Sequence, residues 1–190
     1  MDNSAVRLTA KEEAVIAERW AERTLAVYPP NTVRIFLSVK DQFRNPVGAT
    51  IRANLEKLLK IVLSGESLKV ADEPLDEIIR IRSVQDLSAS DAVRFLPELK
   101  QVLRETVKES PSLEKLLPRC EERIDQLILR AFDTYVGCRE DMFRVRANQQ
   151  RAYSAKLIER AEKIIHRRLE DVVPDQNNED QGMIHKGERP

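Results

Sequence analysis

The chain has 190 residues, 42% of them hydrophobic and 34% charged, and its 32 Lys and Arg balance 32 Asp and Glu. A formal charge of zero lacks the electrostatic footprint of a nucleic-acid or polyanion binder, and no apolar run reaches the roughly 18–20 residues that span a bilayer. Five glycines, two histidines and two cysteines leave little material for phosphate loops, metal sites, triads or a disulfide scaffold.

Met1-Asp2-Asn3-Ser4 carries neither a basic nor an apolar signal region, so the expectation is a soluble cytoplasmic protein that is not an enzyme. Leu, Ala, Glu, Arg and Lys dominate and glycine is scarce, which favours helix throughout. Thr9-Ala10-Lys11-Glu12 has the form of a capping box. Val15, Ile16, Trp20, Leu25 and Tyr28 then make a rough helical stripe that Pro29-Pro30 must stop. Val33 to Leu37 suits a short helix or a strand. No second strand candidate lies nearby, which favours the helical or irregular form.

Asn45-Pro46 reads as an N-cap with proline at the first helical position. Val47, Ile51, Leu55, Leu58, Leu59 and Val62 hold a helical period up to Ser64-Gly65. Asp72-Glu73-Pro74 opens the next helix, and Ser88-Ala89-Ser90-Asp91 a further one. That helix is expected to run toward Glu109 with a kink at Pro97, whose ring removes a backbone donor. Ser110-Pro111 is again a cap and first turn.

The longest periodic region begins near Pro118. Ile124, Ile128, Ala131, Tyr135, Cys138, Met142 and Val145 are spaced 4-3-4-3-4-3, a heptad-like seam. After Asn148, Gln149 and Gln150 the stripe resumes at Ile158, Ala161, Ile165 and Leu169. A single helix of about fifty residues would be on the order of 75 Å long, and its second half should project as a coiled-coil stalk or pack on a partner. Gly137 is its weak point. The chain thus divides into a flexible N-terminus (1–8), a helical domain (9–147), the projecting end of the long helix (148–171) and a disordered tail (172–190). The fold class is all-α: a helical bundle, with a globin-like form as one version, and a long C-terminal helix.

No residue set has catalytic or metal-ligand spacing, and no cofactor is expected. His166 stands near the helix end, where the dipole favours a cation, and His185 lies in the tail. Cys120 and Cys138 have no histidine nearby to activate them, which favours buried structural thiols. Asp125 and Asp133 suit a buried salt link to Arg80 or Arg82. From Gly137 to Glu170 nine basic residues face five acidic ones without interleaved stacking aromatics. That pattern favours a protein partner over nucleic acid. The predicted interface residues are Ile128, Tyr135, Met142, Val145, Ile158 and Ile165, serving a homodimer, a signalling protein partner, or both, with no nucleic acid and no membrane insertion.

Three phrases are more particular. They are Trp20 and Tyr28-Pro29 with Asp41-Gln42-Phe43-Arg44-Asn45-Pro46-Val47-Gly48; Ile78-Ile79-Arg80-Ile81-Arg82-Ser83-Val84-Gln85-Asp86-Leu87-Ser88 with Ala92-Val93 and Leu99-Lys100; and Ala131-Phe132-Asp133-Thr134-Tyr135 with Cys138-Arg139-Glu140 and Arg146-Ala147-Asn148. In order and spacing, over roughly residues 10–160, the set resembles the N-terminal domain family of RsbRD-type stressosome proteins, relatives of the RsbT co-antagonists. The resemblance implies an all-helical sensory or regulatory domain that usually precedes a STAS, kinase or transcription-factor output module. Related stressosome proteins carry non-haem globin-type domains that pair as dimers and pass a signal down a long terminal helix. Here no strand pattern for a STAS domain and no kinase motif follows, so the expectation is a free-standing sensor or adaptor acting through protein–protein interaction. The alternative is a globin-like sensor that binds a small apolar ligand or cofactor.

Overall fold

The computed structural model describes residues 7–38, 43–85 and 87–172. Several helices start where a side chain takes up an orphan backbone donor. At α1 (Ala10–Leu25) the Thr9 hydroxyl accepts from the Glu12 amide at 3.3 Å, and the Glu12 carboxylate accepts from the Thr9 amide at 2.7 Å. The segment that suited helix or strand is helical: α2 spans Pro30–Ser38 with proline at its first position. At α3 (Pro46–Ser64) the Asn45 side chain accepts from the Gly48 amide at 3.0 Å. A Cβ on Gly48 would meet that side chain at 2.5 Å, so the cap requires glycine there. Gly65, at φ 78°, closes α3 in the left-handed conformation.

A 3-10 turn (Leu68–Ala71) leads into α4 (Asp72–Val84). The Ser88 hydroxyl then caps α5 (Ala89–Val93) by accepting from the Asp91 amide at 3.1 Å. The kink expected at Pro97 is instead a break at Arg94. The helix α6 (Phe95–Val107) begins there and holds Pro97 in its first turn, where the missing N–H has no intrahelical acceptor to lose. The helix expected from near Pro118 starts one cap earlier: α7 runs from Pro111 to Val172, 62 residues, with Pro118 in its interior. Pro118 is exposed, as is Glu114, whose carbonyl loses its donor, so water can take the place of that bond. Among the described residues the secondary structure is helical, with no strand, in keeping with the all-α expectation.

Two compact units divide the chain, Met1–Asp141 and Met142–Pro190. The first has one core. Ile16, Trp20 and Leu25 of α1 meet Ile51, Leu55, Leu58 and Val62 of α3, Leu75, Ile78 and Ile79 of α4, and Phe95, Leu99, Val102 and Leu103 of α6. Fully burying each such side chain is worth about 1.5–3 kcal/mol. Trp20 has its polar edge satisfied: Nε1 donates to the Phe95 carbonyl at 2.6 Å, and the two rings stack with centroids 6.2 Å apart. The described part of the second unit is the distal part of α7. Most of the expected flexible N-terminus and disordered tail, and His185 with them, lies outside the described residues. No helix among the described residues is long and apolar enough to cross a membrane.

Candidate functional site: the two parts of helix α7

Within the first unit, α7 is fastened to the bundle by one face. Leu113, Cys120, Ile124, Leu127, Ala131, Tyr135 and Cys138 of that face are buried. Polar contacts fix its register. Arg119 donates to the Leu63 carbonyl at 2.7 Å, while Arg123 donates to the carbonyls of Ile61 and Glu66 at 2.8 and 2.6 Å. These two arginines thus take up carbonyls around the C-terminal end of α3 that the helix itself leaves open. Burial pulls the Arg123 guanidinium below its ordinary pKa. Lys100–Asp125 and Arg104–Glu121, each at 2.6 Å, tie α6 to α7, and an Arg130–Asp72 pair ties the start of α4. The Tyr135 hydroxyl donates to the Leu87 carbonyl at 2.8 Å, just before α5.

The salt links expected for Asp125 and Asp133 form differently. Asp125 is largely exposed and pairs with Lys100, and Asp133 is exposed. Arg80 pairs with Asp76 one turn away at 2.5 Å, and Arg82 bonds backbone carbonyls. Both acids lie on the exposed side of α7. Cys120 and Cys138 are buried free thiols. The Cys120 thiol donates to the Val62 carbonyl at 3.8 Å, and burial pushes its pKa up, away from the reactive thiolate. No group of His, Cys, Asp and Glu able to hold a metal ion is found among the described residues.

Of the six predicted interface residues, two lie on the bundle side. Ile128 is half-buried against the core, and Tyr135 is buried. Met142, half-buried, opens the second unit. Val145, Ile158 and Ile165 are 55%, 60% and 58% exposed. In the first unit a second apolar row, not anticipated from sequence, faces away from the core: Leu129, Phe132 and Val136. Its 3-4 spacing is present in the sequence beside the stronger seam. In the second unit every side chain from Phe143 to Leu169 is exposed, and Ala147, Ser154, Ile158, Ala161, Ile165 and Leu169 recur at helical spacing along it. Glu159 and Lys163 form an i,i+4 pair at 2.6 Å on this helix.

Residues 14–150 match the RsbT co-antagonist protein rsbRD N-terminal domain, RsbRD_N. The chain belongs to the RsbRD N-terminal domain family. An uncharacterized protein of Archaeoglobus fulgidus is 25% identical to it over 147 residues, 72% of this chain and 83% of that protein. No solved structure matches. In this RsbRD N-terminal domain the family match runs from α1 into α7, and the Ile158–Leu169 stripe lies beyond it. Membership makes the chain a stressosome-related regulatory domain.

Proposed function

We propose that this RsbRD N-terminal domain is a non-catalytic cytoplasmic adaptor or sensor module that acts by protein–protein contact through α7, in the first place with a second copy of itself. The exposed apolar row of the second unit carries this reading. A helix gains most of its stability in water from packing an apolar face, not from propensity. Here, however, Ile158, Ile165 and Leu169 are each more than half exposed. Contiguous exposed apolar surface of this kind marks contact sites. Self-association would cover the row, with Ile158 and Ile165 as contacts, and would need a second contact for Val145 and Met142, which lie about 140–160° round the helix from Ile158. Ile128 and Tyr135 would serve the contact indirectly, by holding α7 in register on the bundle. Leu129, Phe132 and Val136 offer the first unit a contact face of its own.

Sedimentation velocity on the full chain tests this. A dimer at tens of micromolar, converted to monomer by Ile158→Glu with Ile165→Glu while the helical circular dichroism is retained, is the expected outcome. A wild-type chain that stays monomeric over that range refutes self-association through α7.

A further inference from the structure

One groove of the first unit combines an apolar floor with an acidic rim. It lies between α1 and α3 and measures about 610 Å³, some twenty times the roughly 30 Å³ share of a water molecule. Ala14, Ala17 and Ala21 of α1 and Leu59 of α3 form its floor. The alanines recur at helical spacing, and their methyl groups leave open the space that longer side chains would fill. Four glutamates border it, Glu13, Glu18 and Glu22 on α1 and Glu56 on α3. Their side chains make no ion pair among the described residues. Two cations share the lining: Lys60, and Arg52, whose Nη2 donates to the Phe36 carbonyl at 3.0 Å. The rim is therefore acidic on balance.

The second unit carries the complement. Leu157, Ile158, Ile164 and Ile165 are 45%, 60%, 60% and 58% exposed. With Ala161 between them they fall at i, i+1, i+4, i+7 and i+8, an apolar stripe wider than the seam of a two-stranded coiled coil. A stripe of that width suits a groove between two helices better than a single partner helix. From Arg151 to Arg168 there are six basic residues and two acidic ones. One of those acids, Glu159, is already taken by Lys163 of the same helix.

We infer that the α1–α3 groove of one copy receives residues 151–168 of α7 from a second copy, the isoleucines over the alanine floor and the basic side chains against the four glutamates. This rests on the reading that α7 self-associates, and it names the surface its stripe meets. Small side chains at a helix–helix contact let the axes approach, so a bulky ridge seats between α1 and α3. Opposite charge at the rim speeds encounter and fixes register, whereas two 151–168 segments laid against each other bring like charge together. Reciprocal exchange closes a two-fold pair in which each stripe and each groove is used once.

Sedimentation velocity on full-chain variants tests this pairing, with circular dichroism as the check on folding. Ala14→Trp puts a ring into the groove from an exposed position of α1 and should convert the dimer to monomer at tens of micromolar. Glu18→Lys with Glu22→Lys, both exposed, should raise the dimer Kd about tenfold, as should Arg151→Glu with Arg168→Glu. Joining the two reversals in one chain should return Kd to within about threefold of wild type, a rescue that a merely weakened fold would not show. If the wild type is a dimer that Ile158→Glu with Ile165→Glu dissociates, but Ala14→Trp and the glutamate reversal leave its Kd unchanged, the stripe meets another surface and this inference alone falls. A charge-swapped chain that binds no tighter than either reversal overturns it too. A monomeric wild type removes self-association itself, and this inference with it.

Discussion

Residues 111–141 and 142–172 belong to one continuous helix, yet they meet opposite fates. In the proximal part the apolar seam is used up inside the chain. Ile124, Leu127, Ala131 and Tyr135 are buried, and polar side chains to α3, α4, α6 and Leu87 set the register. In the distal part residues of similar type and spacing, Ile158, Ile165 and Leu169, are all more than half exposed. Apolar periodicity therefore announces that a helix has a face to cover. What covers it depends on whether neighbouring segments of the same chain can reach that face.

The sharpest way to break this comparison is a charge on the covered face. Tyr135→Glu loses the hydrogen bond to Leu87 and buries a carboxylate, and should cost the first unit about 3–5 kcal/mol in urea denaturation. A loss under 1 kcal/mol would mean the proximal face is not core. The same kind of change on the distal face should act on association and not on folding. Ile158→Glu with Ile165→Glu should raise the dimer Kd at least about a hundredfold and move the unfolding free energy of the first unit by no more than about 0.5 kcal/mol.

Gly137 gives a smaller, opposite effect. It lies in the helix interior with no atom within 4 Å of the position a Cβ would occupy. Gly137→Ala should therefore stabilise by about 0.5–1 kcal/mol, read as a rise in the denaturation midpoint. The smallest expected effect comes from exposed charge pairs. The hydrogen bond from Arg23 holds the Glu105 carboxyl below its ordinary value of 4.5. The folded state thus takes up that proton less readily than the unfolded chain does. The contribution is present above pH 4.5 and lost as the pH falls below it. Glu105→Gln should flatten the acid limb of the stability profile slightly and leave neutral pH nearly unchanged, as thermal melts across the pH range would show.

Much of this architecture is written locally. Thr9 with Glu12, Asn45 with Pro46, Ser88 with Asp91, and Gly65 each start or stop a helix through bonds within a few residues, so the side chain that acts is adjacent to the backbone it serves. Two prolines depart from the expectation for a related reason. Pro97 sits in a first turn and Pro118 in an exposed helix interior, and the cost of a proline depends on whether the bond it removes was needed. The heptad-like seam was legible as a stripe, but its division between buried and exposed parts was not. That split depends on where α3, α4 and α6 lie, and periodicity carries no such information. The outward row of Leu129, Phe132 and Val136 was hidden by the same ambiguity.

The composition, equal positive and negative counts, scarce glycine and abundant helix formers, by itself pointed to a helical protein with no net charge. Caps and periodicity added the order and ends of most helices, because those signals act over one or two turns. Only the tertiary structure decided which charges matter. It buried Arg82 beside an unbonded Thr24 hydroxyl while pairing Arg23 and Arg94 with acids. Burial and partner distance are set by segments dozens of residues apart, and in a sum of charges each arginine counts the same.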